Sequence, residues 1–418
     1  MQRSDIIIVG AGISGLCCAR QLKKLGFSSL ILESSSVIGG RVKTDNVNGF
    51  LLDRGFQVFL TAYPEARRIL DYEKLNLKYF APGALVRSAG NFHPFYDPLR
   101  HPSKLFSSLF SPIGSFGDKF RIAYLKHRVG HGDYQRLFQH CQLSTIDLLE
   151  HLGFTERIIK QFFKPFFGGI FLDNQLTTPS RMFEFIFQMF SQGSATLPHS
   201  GMSAIPEQIA SKLLPESIKT KQTVHSVKDN CVRLTTGEEL HAKAIILATA
   251  SHATEKLLGL KSKNTHRVSC LYFDAPSPPI ADPILVLNGD SYGPINNLCV
   301  LNKINPNYAP KNSNLVSATV IGGMTSDIEQ QVKLQLKSWF GKQTSSWSLI
   351  KTYDIKDALP IITSFSNLSD NHQISEGLFT CGDYRSSPSL QGAMVSGRDT
   401  ANAVASFLRD GVSKKRLF

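Results

Sequence analysis

Apolar residues open the chain in a pattern typical of a buried strand followed by a helix. Ile6–Val9 form an uninterrupted β-branched run, as expected for a parallel strand that is buried on both faces. Glycines occupy positions 10, 12 and 15 directly after this run, and helical spacing continues from Leu16 to Leu25. A second apolar run covers Ser29–Leu32 and ends at Glu33. The order predicts a strand, a glycine-rich turn, a helix and a second parallel strand.

Further along the chain, a stretch with helical spacing gives way to patterns typical of strands. The helical spacing falls within residues 65–195. Strands are predicted at 223–227, 231–234, 244–249, 268–273 and 315–320, and a closing helix at 391–408. Asp229 and Asn230 predict a hairpin turn between two of these strands. The apolar run Ile245–Ala248 is typical of another strand that is buried on both faces.

The composition is that of a globular protein with more than one core. The chain has 418 residues, of which 42% are hydrophobic and 19% charged, and these values exclude a disordered chain. No apolar run approaches the ~20 residues that a membrane-spanning helix needs. The first predicted strand begins at Ile6, which leaves no room for a targeting peptide, so we expect a cytoplasmic protein. Seven scattered cysteines without a Cys-x-x-Cys pair indicate free thiols and no metal site.

The net charge of +13 raises the question of an acidic partner. The sequence contains no helix-turn-helix, zinc-finger or RNA-binding motif, so nucleic acid is not expected as a partner. An anionic membrane surface or an acidic substrate would use the charge, and solubility alone is the remaining interpretation.

A mixed basic and aromatic segment, Phe116–Arg128, is the candidate for a peripheral membrane contact. Phe116, Phe120 and Tyr124 share one face at helical spacing, and basic residues are interspersed. Such a helix can lie on an anionic membrane and give access to a lipid-dissolved substrate. An ordinary solvated amphipathic helix is the alternative interpretation.

The glycine-rich turn has the chemistry of a dinucleotide-binding loop. Gly10 permits the tight turn, Gly12 lets the backbone approach a pyrophosphate, and Gly15 lets the helix pack closely on the strand. The helix N-terminus then faces the phosphates. Glu33 follows about 20 residues beyond the loop, where a ribose hydroxyl needs an acceptor. The predicted phosphate-binding residues are Gly10, Ala11, Gly12, Ile13, Ser14 and Gly15.

Two further clusters extend this site. Gly39 and Gly40 allow a turn near phosphate, and Arg41 can pair with a pyrophosphate oxygen. Near the C-terminus, a predicted strand ends in Gly382-Asp383, whose carboxylate can accept a hydrogen bond from a ribityl or ribose hydroxyl. The segment Gln391-Gly392-Ala393 then opens a helix whose positive end would face an electron-rich ring.

Together these clusters resemble the flavin-containing amine oxidase superfamily, which includes amine oxidases, protoporphyrinogen oxidases and phytoene desaturases. The segment from Asp53 to Gly55 is similar to a family Asp-x-Gly segment near the flavin ring, and Pro198–Met202 is similar to a Gly-Met segment of the desaturase branch. The resemblance implies FAD as cofactor. It also implies that Val224 contacts the adenine through its backbone and that Ala248 lines the dinucleotide.

The resemblance implies an α/β fold, with a glutathione-reductase-type FAD-binding Rossmann domain and an inserted α+β substrate domain. The FAD domain would comprise residues 1–62, 198–265 and 375–418. The substrate domain would comprise residues 63–197, mostly helical, and 266–374, mostly β.

The function that the sequence favours is FAD-dependent dehydrogenation of a hydrophobic, carotenoid- or porphyrin-like molecule. Dense aromatics between residues 76 and 195 could line a slot for such a substrate, although Phe183, Phe187 and Phe190 also have core spacing. Hydride would pass to the flavin, and oxygen or a quinone would accept the electrons. No catalytic side chain is assigned.

Two alternatives stay open at this point. The first is a flavin amine or amino-acid oxidase. Amine oxidases commonly carry a lysine on a substrate-domain strand, and the most similar segment, Arg267–Phe273, has none. The second is a non-redox binder of prenylated partners, similar to GDP-dissociation inhibitors.

Overall fold

The computed structural model describes residues 5–97, 100, 110–130, 143–364 and 372–415. Its strands are β1 Ile6–Val9, β2 Leu30–Leu32, β3 Thr44–Val47, β4 Phe50–Asp53, β5 Phe59–Leu60, β6 Lys78–Tyr79, β7 Gly83–Ser88, β8 Asn91–Tyr96, β9 Ala195–Leu197, β10 Ile218–Lys219, β11 Val224–Lys228, β12 Cys231–Leu234, β13 Glu239–His241, β14 Ala244–Leu247, β15 Thr265–Ala275, β16 Leu285–Asn288, β17 Ile295–Val300, β18 Asn314–Ile321, β19 Ser348–Pro360, β20 Gln373–Ser375 and β21 Leu378–Thr380.

The helices are α1 Ile13–Lys24, α2 Pro64–Ile69, α3 Tyr72–Leu75, α4 Phe116–Gly130, α5 Thr145–His151, α6 Glu156–Ile158, α7 Lys164–Phe171, α8 Ser180–Gln192, α9 Ala204–Ala210, α10 Ser251–Leu257, α11 Leu301–Ile304, α12 Ile328–Phe340 and α13 Leu390–Lys415. A π-helical turn, Ile159–Phe163, joins α6 to α7. Within the described residues, no helix is both long and apolar enough to span a membrane.

A six-stranded sheet in the order β10-β2-β1-β14-β21-β20 forms the centre of one half of the molecule. This half contains the glycine-rich turn and is called the cofactor half. Its neighbouring strands are parallel except for the antiparallel pair β20 and β21. The side chains of β1 alternate between two buried faces. Ile6 and Ile8 pack with α1 and α13, whereas Ile7 and Val9 pack against the small sheet β11-β12-β13. Burial on both faces explains why the whole strand is apolar.

A seven-stranded sheet in the order β19-β15-β18-β17-β16-β7-β8 forms the second half. Its pairs are antiparallel except for β16 and β7. The two large sheets and the helices confirm the predicted α/β class with a Rossmann-like domain. The predicted domain boundaries stay a prediction, and β20 crosses the boundary expected at residue 374 because it runs Gln373–Ser375.

Short-range predictions from the sequence agree with these elements to within a few residues. Helix α1 begins at Ile13, three residues earlier than its apolar spacing predicts, because Gly12 occupies the N-cap position. Asp229 and Asn230 both have positive φ, 47° and 58°, as a two-residue hairpin turn requires. The described cysteines are free thiols, as predicted, and Cys141 lies outside the described residues.

Asp53, at the end of β4, joins the two halves of the molecule. Its side chain is buried and accepts hydrogen bonds from the Thr44 hydroxyl at 2.6 Å, the Met202 amide at 3.1 Å and the Tyr308 hydroxyl at 2.7 Å. Its backbone carbonyl accepts a bond from the Tyr272 hydroxyl at 2.7 Å. Burial raises the pKa of Asp53 from 3.8 to about 6, against the opposing effect of these hydrogen bonds.

We expect Asp53→Asn to flatten the dependence of folding stability on pH between 3.8 and about 6. In this window the native protein binds a proton that the unfolded chain has released. The contribution of Asp53 therefore falls as pH rises, by at most about 3 kcal/mol, and is constant above the folded pKa. Urea unfolding across this range measures the effect. Identical pH profiles for the parent and Asp53→Asn would contradict the assignment.

Asp53→Ala is the matched comparison. It leaves three buried donors without their acceptor, and each lost partner costs about 1–3 kcal/mol. We expect this variant to be destabilised at every pH, unlike Asp53→Asn.

Candidate active site

A cavity of about 1270 Å³ extends from the glycine-rich turn to the aromatic helices α7 and α8. Most residues that the sequence predicts to bind the cofactor line this cavity, namely Gly10, Gly12, Ile13, Ser14, Glu33, Gly39, Gly40, Arg41, Gly55, Val224, Ala248, Gly382, Asp383 and Ala393. The remaining predicted residues do not line it, namely Ala11, Gly15, Asp53, Gln391 and Gly392. The contact of each residue with a cofactor stays a prediction.

The turn between β1 and α1 is built by close backbone contacts. Gly10 has φ of +108°, and a Cβ there would lie 2.9 Å from the carbonyl oxygen of Ala248. A Cβ at Gly15 would overlap the carbonyl oxygen of Gly10. These two glycines are therefore required by the fold itself, independently of any ligand.

Gly12 differs from its neighbours because the protein leaves space beside it. Its φ is −74°, and a Cβ there would meet only the Cα of Gly40, at 3.9 Å. No side chain of the described residues caps the N-terminus of α1. The space bounded by Gly12 and Gly40, next to unpaired helix amides, fits a pyrophosphate.

Glu33 holds the turn and also faces the cavity. One carboxylate oxygen accepts a hydrogen bond from the Ala11 amide at 2.8 Å, and the other accepts one from the Ser35 amide at 2.9 Å. A carboxylate oxygen has two lone pairs, so both atoms can still accept a bond from a ribose hydroxyl. The fold thus places this acid where the sequence motif expects it.

The second and third clusters meet across the cavity. The Gly39 amide donates to the Ala11 carbonyl at 2.8 Å, which brings Gly40 beside Gly12. The guanidinium of Arg41 forms an ion pair with the buried carboxylate of Asp383 at 2.7 Å. Sequence segments more than 300 residues apart along the chain therefore form one polar edge of the cavity.

The start of α13 takes part in the site more through its backbone than through its side chains. The Gly392 amide donates to the Ser389 hydroxyl at 3.0 Å, so Ser389 caps this helix. A Cβ at Gly392 would overlap the Ser387 carbonyl. The side chain of Gln391 accepts a bond from the Glu65 amide at 2.9 Å. Gly392 thus packs against the loop that precedes α13 and Gln391 binds the start of α2, while Ala393 lines the cavity.

The other half of the cavity is strongly aromatic. Its phenylalanines come from several segments, namely Phe56, Phe80, Phe95, Phe162, Phe166, Phe167, Phe187 and Phe190. Phe162 and Phe166 are stacked, with ring centroids 5.4 Å apart and an interplanar angle of 11°. Of the three residues with ambiguous spacing, Phe183 is a core residue, whereas Phe187 and Phe190 line the cavity.

Several cavity residues carry no clear signal in the sequence. Phe80 to Pro82, between β6 and β7, and Gly83, the first residue of β7, line the cavity although they belong to no motif. Tyr384, directly after Asp383, does not line the cavity, and its hydroxyl is bonded to those of Thr254 at 3.0 Å and Thr380 at 2.8 Å. The periodicity of the aromatic segments is the nearest signal, and it does not distinguish core positions from cavity positions.

Strand β15 contains the segment that resembles the lysine-bearing strand of amine oxidases. The residue of this strand that lines the cavity is Val268. The lysines that line the cavity are Lys119, Lys126 and Lys256, which lie on α4 and α10. Among the described residues that line this cavity, none is a lysine on β15.

One group of potential metal ligands lies outside the cavity. Cys231, Glu239 and His241 share a face of the hairpin β12-β13, with ligand atoms within 4.8 Å of one another. The guanidinium of Arg233 already bonds the Glu239 carboxylate, at 2.9 Å through Nε. We assign no metal to this group.

The dinucleotide cradle, the mostly parallel sheet and the aromatic cavity define an α/β nucleotide-dependent redox protein. Residues 13–405 match the family described as flavin containing amine oxidoreductase. The chain belongs to this family. It is accordingly an FAD-dependent oxidoreductase, which decides against the non-redox binder of prenylated partners.

Relatives within this family have different substrates in their names. The coproporphyrinogen III oxidase of Propionibacterium freudenreichii subsp. freudenreichii is 29% identical over 172 residues, which are 40% of this chain and 31% of that protein. The 15-cis-phytoene desaturase of Narcissus pseudonarcissus is 32% identical over 66 residues, 16% of this chain and 12% of that protein. The matches thus span less than a third of either curated relative.

A solved structure supports the fold over the whole chain. The cyclohexylamine oxidase of Brevibacterium oxydans IH-35A has a TM-score of 0.67 at 16% identity, and the alignment covers 98% of this chain and 100% of that one. At this identity the similarity shows the fold alone.

We expect Gly12→Ala and Gly15→Ala to separate cofactor binding from folding. Gly12→Ala fits without a clash, so its unfolding midpoint as apoprotein should equal that of the parent, while its FAD affinity falls at least roughly tenfold. Gly15→Ala should lower the unfolding midpoint, because its Cβ overlaps Gly10. Flavin titration of the apoprotein and thermal unfolding measure the two effects. Full FAD affinity in Gly12→Ala would refute the cradle assignment.

Proposed function

We propose that the protein dehydrogenates a hydrophobic small molecule of the carotenoid or porphyrin class. The observation that carries this proposal is the aromatic half of the cavity, which continues directly into the cofactor cradle. Rings such as Phe162, Phe166 and Phe187 offer flat faces that suit a planar or polyene substrate. A small polar substrate would leave much of this surface without a partner.

The side chains around the cavity bind, orient and exclude water. Bound FAD would supply the two-electron oxidant for removal of a hydride from a substrate carbon, and oxygen or a quinone is the proposed final acceptor of the electrons. The aromatic wall restricts where a rigid substrate can lie, which would orient its reacting carbon toward the cofactor end of the cavity. No side chain is assigned as a proton donor or acceptor.

The names of the curated relatives support a hydrophobic substrate. One acts on a coproporphyrinogen and another on phytoene, according to their names. The cyclohexylamine oxidase, in contrast, shares the fold only. The position of Val268 on β15 further disfavours an amine oxidase of the lysine-bearing type.

We also propose that α4 contacts a lipid surface. On its outer face it exposes Phe116, Phe120 and Tyr124, with 55%, 74% and 59% of their surface accessible. Phe110 lies beside Phe116 and is 70% exposed. The same helix lines the cavity through Lys119, Ile122 and Lys126, so a contact here would bring lipid to the substrate site.

The basic residues of α4 play a smaller part in this contact than the sequence suggested. Lys126 pairs with Asp97 at 2.7 Å, Arg128 with Glu184 at 3.1 Å, and Arg121 lies 3.8 Å from Asp118. Because these charges are directed to partners on the protein, the exposed aromatic side chains carry the proposal.

We expect hydrophobic compounds to bleach the flavin of the purified holoprotein under anaerobic conditions. In a screen of carotenoids, porphyrinogens and amines, the rate with the productive compound should fall roughly tenfold or more in Ile170→Trp, which fills the cavity. Flavin content should not change. Leu334→Trp, at an exposed site on α12, is the control. Bleaching by amines alone would overturn the proposal.

We expect the triple variant Phe116→Ser, Phe120→Ser and Tyr124→Ser to lose vesicle binding. Each buried aromatic side chain contributes about 1.5–3 kcal/mol to apolar burial, so the partition coefficient should fall at least roughly tenfold. Sedimentation with vesicles of phosphatidylcholine and phosphatidylglycerol measures it. Tyr292→Ser removes another exposed aromatic, 83% accessible, and should bind like the parent. A parent protein that stays in the supernatant would refute the contact.

A further inference from the structure

Tyr63 is a buried cavity residue whose hydroxyl the fold itself does not use. The residue lines the cavity, and 5% of its surface is accessible. Its hydroxyl has no hydrogen-bond partner in the part of the chain that the structure describes. Buried polar groups are normally hydrogen-bonded, because leaving one unbonded costs free energy. We therefore expect a ligand of the cavity to supply the missing partner.

Other tyrosines of the core show the usual arrangement. The hydroxyl of Tyr272 donates to the backbone carbonyl of Asp53 at 2.7 Å, and that of Tyr308 donates to the carboxylate of the same residue at 2.7 Å. The hydroxyl of Tyr384 is bonded to two threonine hydroxyls, at 3.0 Å and 2.8 Å. A phenylalanine would fill the position of Tyr63 equally well, so packing does not explain its hydroxyl.

The hydroxyl of Tyr63 is open to the cavity. Among the described residues, the side-chain polar atoms that are both sealed from solvent and without a partner do not include it. The accessible part of this residue therefore includes the hydroxyl, and the residue borders the cavity. Burial raises the pKa of Tyr63, and no described residue opposes this effect with a charge or a hydrogen bond. The group thus keeps its proton and can donate a hydrogen bond.

The side chain is held in place before any ligand binds. Pro64 follows directly as the first residue of α2 and disfavours a helical backbone at Tyr63. The ring lies edge-on against Phe59, with centroids 6.3 Å apart, and is stacked on Phe185 at 6.1 Å. A donor that is already positioned loses little conformational entropy when it binds a ligand.

Tyr63 lies where the aromatic half of the cavity meets the cofactor cradle. Phe185, which stacks on its ring, belongs to α8, and the next residue, Ile186, lines the cavity. The Glu65 amide donates to the side chain of Gln391 at 2.9 Å, which ties the start of α2 to the start of α13. A substrate atom bonded to Tyr63 would therefore lie near the cofactor end of the cavity.

We propose that Tyr63 binds the substrate through its hydroxyl, which donates a hydrogen bond to an oxygen or nitrogen atom of an otherwise apolar molecule. This inference rests on the proposed function, because it concerns the substrate of the same cavity. It narrows that substrate from hydrocarbons to molecules with an uncharged acceptor atom. Apolar walls strengthen such a bond, so one hydroxyl selects an oxygenated molecule over a hydrocarbon of the same shape.

The test compares oxygenated and hydrocarbon probes on the FAD-loaded protein by equilibrium dialysis. Fluorenone and fluorene share one planar ring system, and a carbonyl in the first replaces a methylene in the second. Retinol and its deoxy hydrocarbon, axerophthene, share one polyene. The variant is Tyr63→Phe, which removes only the hydroxyl, and the control is Tyr292→Phe, at an exposed tyrosine that does not line the cavity. The ratio of the two affinities is compared between proteins, so the different hydrophobicity of the probes cancels.

For at least one pair, we expect Tyr63→Phe to weaken binding of the oxygenated probe roughly fivefold or more and to leave binding of the hydrocarbon unchanged. Tyr292→Phe should retain the ratio of the parent. An unchanged ratio in Tyr63→Phe for both pairs would overturn the inference and leave the proposed hydrophobic function in place. If no probe binds to the parent, both proposals fail.

Two further measurements separate this role from a structural role and from a contact with the cofactor. The unfolding midpoint of the apoprotein should fall in Tyr272→Phe, which loses a bond to Asp53, but not in Tyr63→Phe, which loses none. Without a probe, the flavin absorption spectrum and the FAD affinity of Tyr63→Phe should equal those of the parent. A lower midpoint or an altered flavin spectrum in Tyr63→Phe would assign the hydroxyl to the fold or to the cofactor, and the inference would fail.

Discussion

The cofactor half of the structure depends on helices that contact neighbouring backbone directly, with no side chain in between. Gly15 brings α1 against the Gly10 carbonyl, and Gly397 brings α13 against the Ser14 carbonyl. A larger residue at position 15 would push α1 away from the turn after β1, and one at position 397 would push α13 away from α1. Because both contacts are tight, they fix the position of the N-terminus of α1 relative to the ion pair of Arg41 and Asp383. The open space beside Gly12 is then available to a ligand.

Helix α4 is the corresponding element of the substrate half, because its three faces perform different tasks. Asp118, Leu125 and Val129 are buried and anchor the helix. A second face, with Lys119, Ile122 and Lys126, lines the cavity, and a third exposes aromatic rings. In the proposed function, the aromatic face gives access to substrates dissolved in lipid. A single helix would thus place the lipid contact next to the cavity.

Local patterns in the sequence were sufficient for the cofactor half. The apolar run of β1, the glycine spacing and Glu33 each act over short distances, and the strand, turn and helix that they predict are observed. The hairpin at Asp229 and Asn230 follows from the same kind of local preference for positive φ. The family resemblance extended these predictions to FAD and to the fold class, both of which the comparisons support.

The sequence by itself determined the class of protein, its cofactor and the elements around the cradle, since backbone geometry and hydrogen bonding at these sites depend on neighbouring residues. Only the tertiary structure decided which face of an amphipathic segment meets the core, the cavity or the solvent. It turned Phe183 into the core and Phe187 into the cavity, although their spacing is equivalent. It also buried Asp53 among donors from distant segments. Long-range packing sets such orientations, and periodicity along one segment carries no information about its partners.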